Sequence, residues 1–200
     1  KILSTMEELC KQIEELRAKN SKILNEKINE ELVQLEMKNA RFNAKVIEDE
    51  EFSINGKSHV EFVITTNLGE EEKKLNKIAS GGEMSRIMLA IKTVLSDIDE
   101  VPVLIFDEID TGISGKAANS VGSKLKKIAK KHQVIIVTHL ATIAAQGDYN
   151  YYIYKEVAAN KTNTNVKLLN ESETIREIAR IASGEITEIS LSHARELRNK

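Results

Sequence analysis

An α/β fold is predicted by three features of the sequence. Two short apolar runs, "VPVLIFD" at 101–107 and "QVIIVT" at 133–138, have the length and β-branched content of buried strands. Stretches with helical apolar spacing accompany them, at about 83–96 and 116–131, and strands alternating with helices point to a sheet with parallel members. Upstream, two segments of period two flank the turn signal Asn55–Gly56, which predicts an antiparallel pair.

The first 38 residues contain neither Gly nor Pro. Apolar side chains fall at Ile2, Met6, Leu9, Ile13, Leu16 and Ile23, with Asn20 in the intervening slot. Steps of four and three make this a heptad seam, and a polar residue at one core position fixes register at some cost in stability. After Ile23 the seam slips to Leu24, Ile28, Leu32 and Leu35, a local break in the repeat. Thirty-eight helical residues reach roughly 57 Å, more than an ordinary globular helix, so residues 1–40 are expected to be one half of a coiled-coil arm. Its partner strand is expected upstream, and a chain opening on Lys1 inside a helical pattern reads as a fragment of a longer polypeptide.

Residues 41–200 carry the rest. "RFNAKVIE" places Phe42, Ala44 and Val46 on one face, and "HVEFVIT" does the same with Val60, Phe62 and Ile64. A loop from Thr66 to Ser80 leads into the first helix of the α/β region. After "QVIIVT" come a short helix from Leu140, a strand around "YNYYIYKE", a strand "TNVKLL", and two terminal helices at 172–182 and 187–198.

Composition excludes several functions. A net charge of −2 rules out a globally basic nucleic-acid binder. The single cysteine, Cys10, cannot close an internal disulfide, as befits a reducing compartment. No apolar run is long enough to span a bilayer, and no membrane partner is expected.

Three motifs bear chemistry. In "KIASGGEMSRIMLAIK" (77–92), two adjacent glycines stand where a helix should start, which costs backbone entropy. Ser80 with Glu83 three residues on is a capping box. The bare backbone of Gly81 and Gly82 equally suits a phosphate, which helix N-termini bind through free amides and the dipole. In "VLIFDE" (103–108) four apolar residues make a strand buried on both faces, and Asp107 and Glu108 follow at its carboxyl end, where open α/β sheets bind ligands. One carboxylate suits Mg²⁺ and its neighbour suits orienting or deprotonating a water; a turn cap would also use Asp107. In "VIIVTHLATIAAQGD" a second strand ends at Thr138 and presents His139, either as a structural residue or as a group that meets a phosphate or the glutamate.

The order of these motifs resembles the back half of an ABC-type ATPase: signature SGG, Walker B strand, D-loop and switch histidine. The resemblance narrows to the RecN family, SMC-related proteins of bacterial DNA repair. It is carried by "KIASGGEMSRIMLAIK", "LIFDEIDTGISGKAA", "VTHLATIAAQGD" and "REIARIASGEITEISLSHARELRNK", with "DTGISG" the most discriminating. The fold it implies is the C-terminal lobe of an ABC/SMC-type P-loop ATPase head, residues 41–200, preceded by the returning half of the arm, residues 1–40. By this resemblance Ser80, Gly81 and Gly82 contact the γ-phosphate of ATP held by another protomer. Glu83, Asp110 and Gly112 complete the nucleotide-binding set, with Asp110 to Gly115 as a D-loop across the dimer interface. Asp107 binds Mg²⁺, Glu108 is the general base and His139 the switch residue. The implied cofactors are ATP and Mg²⁺. The implied partners are a second copy of the chain and DNA, and the implied location is the nucleoid within the cytoplasm.

A Walker A loop, G-x-x-x-x-G-K-[ST], is missing from the sequence. "INGKS" (54–58) has Glu51 where the first glycine belongs, and "SGKA" (114–117) has Asp110 there and no Ser or Thr after Lys116. The family pattern places it in an upstream segment, so the isolated chain is expected to hold half a site and to hydrolyse little ATP. Among lesser features, the lysines of "KLKKIAKKH" (124–132) read as a solvated helix face, the four tyrosines between Tyr149 and Tyr154 as strand packing, and His193 with Arg195 as surface or packing. Two other functions fit the motifs less well. A non-catalytic dimerisation scaffold would have no need for Asp107, Glu108 and His139, and a transporter-type ATP-binding subunit would have no need for the heptad arm.

Overall fold

A computed structural model describes residues 1–67, 69–158 and 161–199. It forms two compact units, Lys1–Pro102 and Val103–Lys200.

The first unit is a long helix packed on a small antiparallel sheet and a second helix. Helix α1 (Ile2–Gln34) ends four residues earlier than the heptad count suggests. Leu35 is its cap, and Glu36 turns the chain at φ +60°. The slip in the seam coincides with a change of environment. Ile2, Leu9 and Leu16 are exposed at 81%, 52% and 59%, whereas Ile28, Leu32 and Leu35 are at most 1% exposed. Burying each of those side chains contributes about 1.5–3 kcal/mol, so α1 is anchored by its C-terminal third.

Strands β1 (Arg41–Ser53) and β2 (Gly56–Thr65) pair antiparallel in the register the alternation demands, Phe42 opposite Ile64 and Ala44 opposite Phe62. Gly56 closes the turn at φ +99°, a conformation open to glycine at little cost. Helix α1 lies along β1 and protects its edge. Asn29, one turn after Asn25 on the same helix face, accepts from the Phe42 amide at 2.8 Å and donates to the Phe42 carbonyl at 2.9 Å. The Asn25 side chain accepts from the Ala44 amide at 2.7 Å. Arg17 donates to the Ser58 carbonyl and, at 2.9 Å, to the Asn55 carbonyl, pinning the hairpin end to the helix. Within the stretch read as a loop lie a two-residue strand β3 (Lys73–Lys74) on β2 and a 3₁₀ turn (Leu75–Lys77). Helix α2 (Gly81–Leu95) follows, burying Ile87, Leu89, Ala90 and Ile91.

The second unit begins with β4 (Val103–Phe106), α3 (Gly115–Ile128) and β5 (Gln133–Ile136), a strand–helix–strand unit in which β4 and β5 run parallel with Phe106 opposite Ile136. Helix α3 buries Ala118, Val121, Leu125 and Ile128. The parallel pair departs from the expectation of burial on both faces. Leu104 and Phe106 are buried, but Ile105 is 68% exposed, and Val103, Ile135 and Val137 are exposed too. A run that is apolar throughout is covered here on one side only. Helix α4 (Ala141–Ala144) packs against α3. Gly122 of α3 faces the Gln146 side chain, whose Nε2 stands 2.2 Å from where a Cβ would be, so a larger residue there would displace that flexible side chain.

An antiparallel hairpin, β6 (Tyr151–Ala158) and β7 (Lys161–Leu168), leads to α5 (Glu171–Ser183) and α6 (Glu188–Arg198). Both helices start with capping boxes, Asn170 with Glu173 and Thr187 with Ser190. Ala141, Ala145, Ile178, Ala179 and Ala194 form the core that joins α4, α5 and α6. Arg198 donates to the Gly147 carbonyl at 2.7 Å and to Glu171 at 3.0 Å. That bond, more than any other cause, holds the Glu171 carboxyl below the usual glutamate range.

Candidate functional site: a glycine-led helix head and an acidic strand end

The glycine pair forms the first turn of α2. Ser80 is the N-cap in an extended conformation, and its hydroxyl accepts from the Glu83 amide at 3.4 Å. This is a long bond; the equivalent cap of α5 measures 2.9 Å. Gly81 and Gly82 fill the first two helical positions, where amides have no partner within the helix. Gly81 is exposed and Gly82 buried. The serine oxygen therefore serves the third amide as a cap, while the glycine amides head the helix dipole.

Sequence reasoning missed Arg86. It is 8% exposed, one turn after Glu83 on α2. Burial pulls its pKa down and the Glu83 charge opposes that pull; an arginine so placed remains a cation. The available signal was an Arg three residues after Glu83 within an otherwise apolar face.

The acidic turn is built differently. Strand β4 ends at Phe106, and Asp107 and Glu108 emerge exposed. Asp107 Oδ1 accepts from the Glu108 amide at 2.9 Å. Glu108 itself sits at φ +56°, a left-handed conformation that costs a residue with a Cβ about 1–2 kcal/mol. Such strain collects at functional turns and persists where surrounding bonds enforce it. One of those bonds is from the Thr111 amide to the Glu108 carbonyl, at 3.0 Å. Beyond it Gly112 and Gly115 take φ +74° and +52°, with open space where a Cβ would stand.

Asp110 does not join that exposed loop. Its side chain is 1% exposed, and Oδ2 faces inward toward the end of β5. It accepts from the Thr138 hydroxyl, from the His139 amide at 2.8 Å and from the Leu140 amide at 3.2 Å, and lies 3.2 Å from His139 Nδ1. Burial of a carboxylate is costly unless donors replace water, and here charge-assisted bonds do so. The carboxylate expected in the nucleotide-binding set thus makes internal bonds here. Sequence reading placed Asp110 and His139 in separate motifs and left out Thr138; their meeting depends on β4 and β5 being neighbours, which no local pattern reports. The His139 ring is 69% exposed.

Among the described residues no three His, Cys, Asp or Glu side chains cluster as a closed metal cage. Asp107 nevertheless fits Mg²⁺, which takes one or two carboxylates and fills its remaining positions with phosphate oxygens and water. The exposed first turn of α2 likewise fits an ATP phosphate as one wall of a site. No helix among the described residues is long and apolar enough to cross a membrane.

Taken along the chain, these elements have the fold of an Smc head domain. In fold the chain resembles the Smc head domain with a coiled coil and joint from Pyrococcus yayanosii, with a TM-score of 0.56 at 17% identity, covering 84% of this chain and 30% of that one. The Smc head domain with an extended coiled coil from Pyrococcus furiosus, there bound to the C-terminal domain of ScpA, gives a TM-score of 0.53 at 20% identity, covering 90% and 43%. No family model matches the sequence.

Within that class the sequence is RecN-like. It is 40% identical over 183 residues to the DNA repair protein RecN of Haemophilus influenzae, covering 90% of this chain and 33% of that protein. It is 43% identical over 179 residues to RecN of Halalkalibacterium halodurans, covering 87% and 32%. The match to RecN of Bacillus subtilis reaches 46% over 139 residues, covering 69% and 24%. The kinship expected from the motifs thus extends along nearly the whole chain, which spans about a third of the length of the first two relatives.

Proposed function

We propose that this chain supplies the signature helix, acidic turn and histidine turn of an ATP-hydrolysing head that acts in DNA repair. The observation that carries the reading is the end of the parallel pair: two exposed carboxylates on β4, one of them on a strained backbone, and an exposed imidazole on β5 tied to the same turn through Asp110. Glu108 accepts the proton of the attacking water, Asp107 holds the cation, and His139 offers a ring nitrogen to the reacting groups. Bound Mg²⁺–ATP supplies the phosphoryl group under attack and the cation that neutralises it. Ser80, Gly81 and Gly82 contribute amides and a hydroxyl to nucleotide held by a second copy of the chain.

Two observations support an upstream segment of the same polypeptide as the source of the phosphate-cradling Walker A loop. The chain spans about a third of its relatives. One apolar face of the β4–β5 pair is also exposed, and parallel sheets are covered on both faces in folded domains. The exposed Ile2, Met6, Leu9, Leu16 and Ile23 likewise support residues 1–40 as an arm with a helical partner. Association of heads on ATP and release on hydrolysis would pass through that arm to DNA, in a nucleoid-associated protein of the cytoplasm. The names of the RecN relatives and the absence of a Walker A motif here support assigning activity to the full-length protein.

Replacing Glu108 with Gln in the full-length protein tests this. Turnover is expected to fall by roughly a hundredfold or more, the scale of general-base catalysis, while ATP-dependent dimers accumulate in light scattering. A wild-type rate in that variant would remove Glu108 as the base and favour a scaffold.

A further inference from the structure

Among the described residues Asp110 is the one acid whose side chain is buried. Its three hydrogen-bond donors, the Thr138 hydroxyl and the His139 and Leu140 amides, all address a single oxygen, Oδ2, and His139 Nδ1 lies 3.2 Å from the same oxygen; these residues are 28 to 30 positions away. The bonds are of two kinds. The hydroxyl and the two amides shape the turn, and any acceptor of the right length would serve them. The fourth contact, from the imidazole, shapes nothing in the backbone. It meets Nδ1 of a ring that is otherwise 69% exposed.

We propose that Asp110 is a positioning residue for His139. Resting on the proposed ATPase reading, this assigns Asp110 a role inside its own subunit rather than across an interface. In this role the Nδ1 proton faces the carboxylate 3.2 Å away, which selects one tautomer and leaves Nε2 as the ring nitrogen available outside. The same oxygen clamps the His139 and Leu140 amides, so ring and backbone are held as one rigid piece. Nε2, so held, is placed to accept a hydrogen bond from the attacking water. Because Asp110 lies two residues after Glu108, the clamp also ties the end of β5 to the strained turn that bears the base.

A turn cap and a positioning residue differ in what they require. Asp110→Asn keeps an oxygen for the amides and removes the charge facing the ring. The test is steady-state ATP turnover by the full-length protein and its D110N, H139Q and D110N/H139Q variants, with thermal melts confirming folding. D110N is expected to lower kcat by roughly tenfold to a hundredfold, the worth of a hydrogen bond to a charged group, with KM changed by less than about twofold. Added to H139Q it is expected to cost nothing further. A wild-type kcat in D110N beside an impaired H139Q overturns the positioning role alone, as do additive losses in the double variant. Wild-type turnover in both H139Q and E108Q overturns the assignment of catalysis to this site and the inference with it. The tautomer gives a second readout that does not depend on any variant folding: ¹⁵N spectra of histidine-labelled full-length protein are expected to show His139 carrying its proton on Nδ1, and a proton on Nε2 with Nδ1 bare overturns the proposal.

Discussion

The turn that opens α2 and the turn that closes β4 answer the same physical need in contrasting ways: each must present polar groups outward at the end of an apolar element. Ser80 to Glu83 does so with four consecutive residues, one side-chain bond of 3.4 Å and two glycines. Asp107 to Asp110 does so with a left-handed glutamate and a buried carboxylate whose partners lie at the end of another strand. The first turn is local and loosely held, and its function rests on what the glycines leave open. The second is tertiary, enforced from outside, and fixes its groups before any ligand arrives. On the proposed reading, a contacting wall tolerates the first construction, whereas general-base chemistry, sensitive to small displacements, needs the second.

Substitutions that remove the difference should scale accordingly. The largest effect is expected from Asp110→Ala, which strands two amides and a hydroxyl in a buried site; loss of about 3 kcal/mol of stability is expected by denaturant unfolding, and a loss under about 1 kcal/mol would show the two turns to be equally loose. An intermediate effect should separate Glu108→Gly from Glu108→Ala. Both delete the carboxylate, but only glycine relieves the left-handed strain, so the glycine variant should be the more stable by about 1 kcal/mol. Equal melting midpoints would mean that the turn stores no strain. The smallest should come from Ser80→Ala. Its cap bond is long, so about 0.5 kcal/mol, the low end of N-cap substitutions, is expected.

Legibility in the sequence followed the same division. The antiparallel pair, the serine half of the cap on α2 and the break in the heptad seam were readable from local pattern, whereas the capping boxes of α5 and α6 were not singled out. The break between Ile23 and Leu24 proved informative: it marks where α1 passes from an exposed seam to the buried Ile28, Leu32 and Leu35. The end of α1 was less legible, since Glu36 adopts a conformation that its residue type disfavours. The continuous apolar run of β4 pointed to burial on both faces, yet Ile105 is exposed; a strand's sequence records the surroundings it evolved to meet, and one of those faces has no cover here. Asp110 was legible as part of a motif but not as a clamp, because its partners lie about 30 residues away and adjoin it only through the β4–β5 pairing.

The central claim, that the helix head of one copy serves the acidic turn of another, has a direct test in subunit mixing. Full-length S80R and E108Q are each expected to be nearly inactive as ATPases. In a two-fold dimer the mixed pair carries one site with both lesions and one with neither, so equimolar mixing should restore about a quarter of the wild-type rate. Mixtures that stay as inactive as their components would contradict the account.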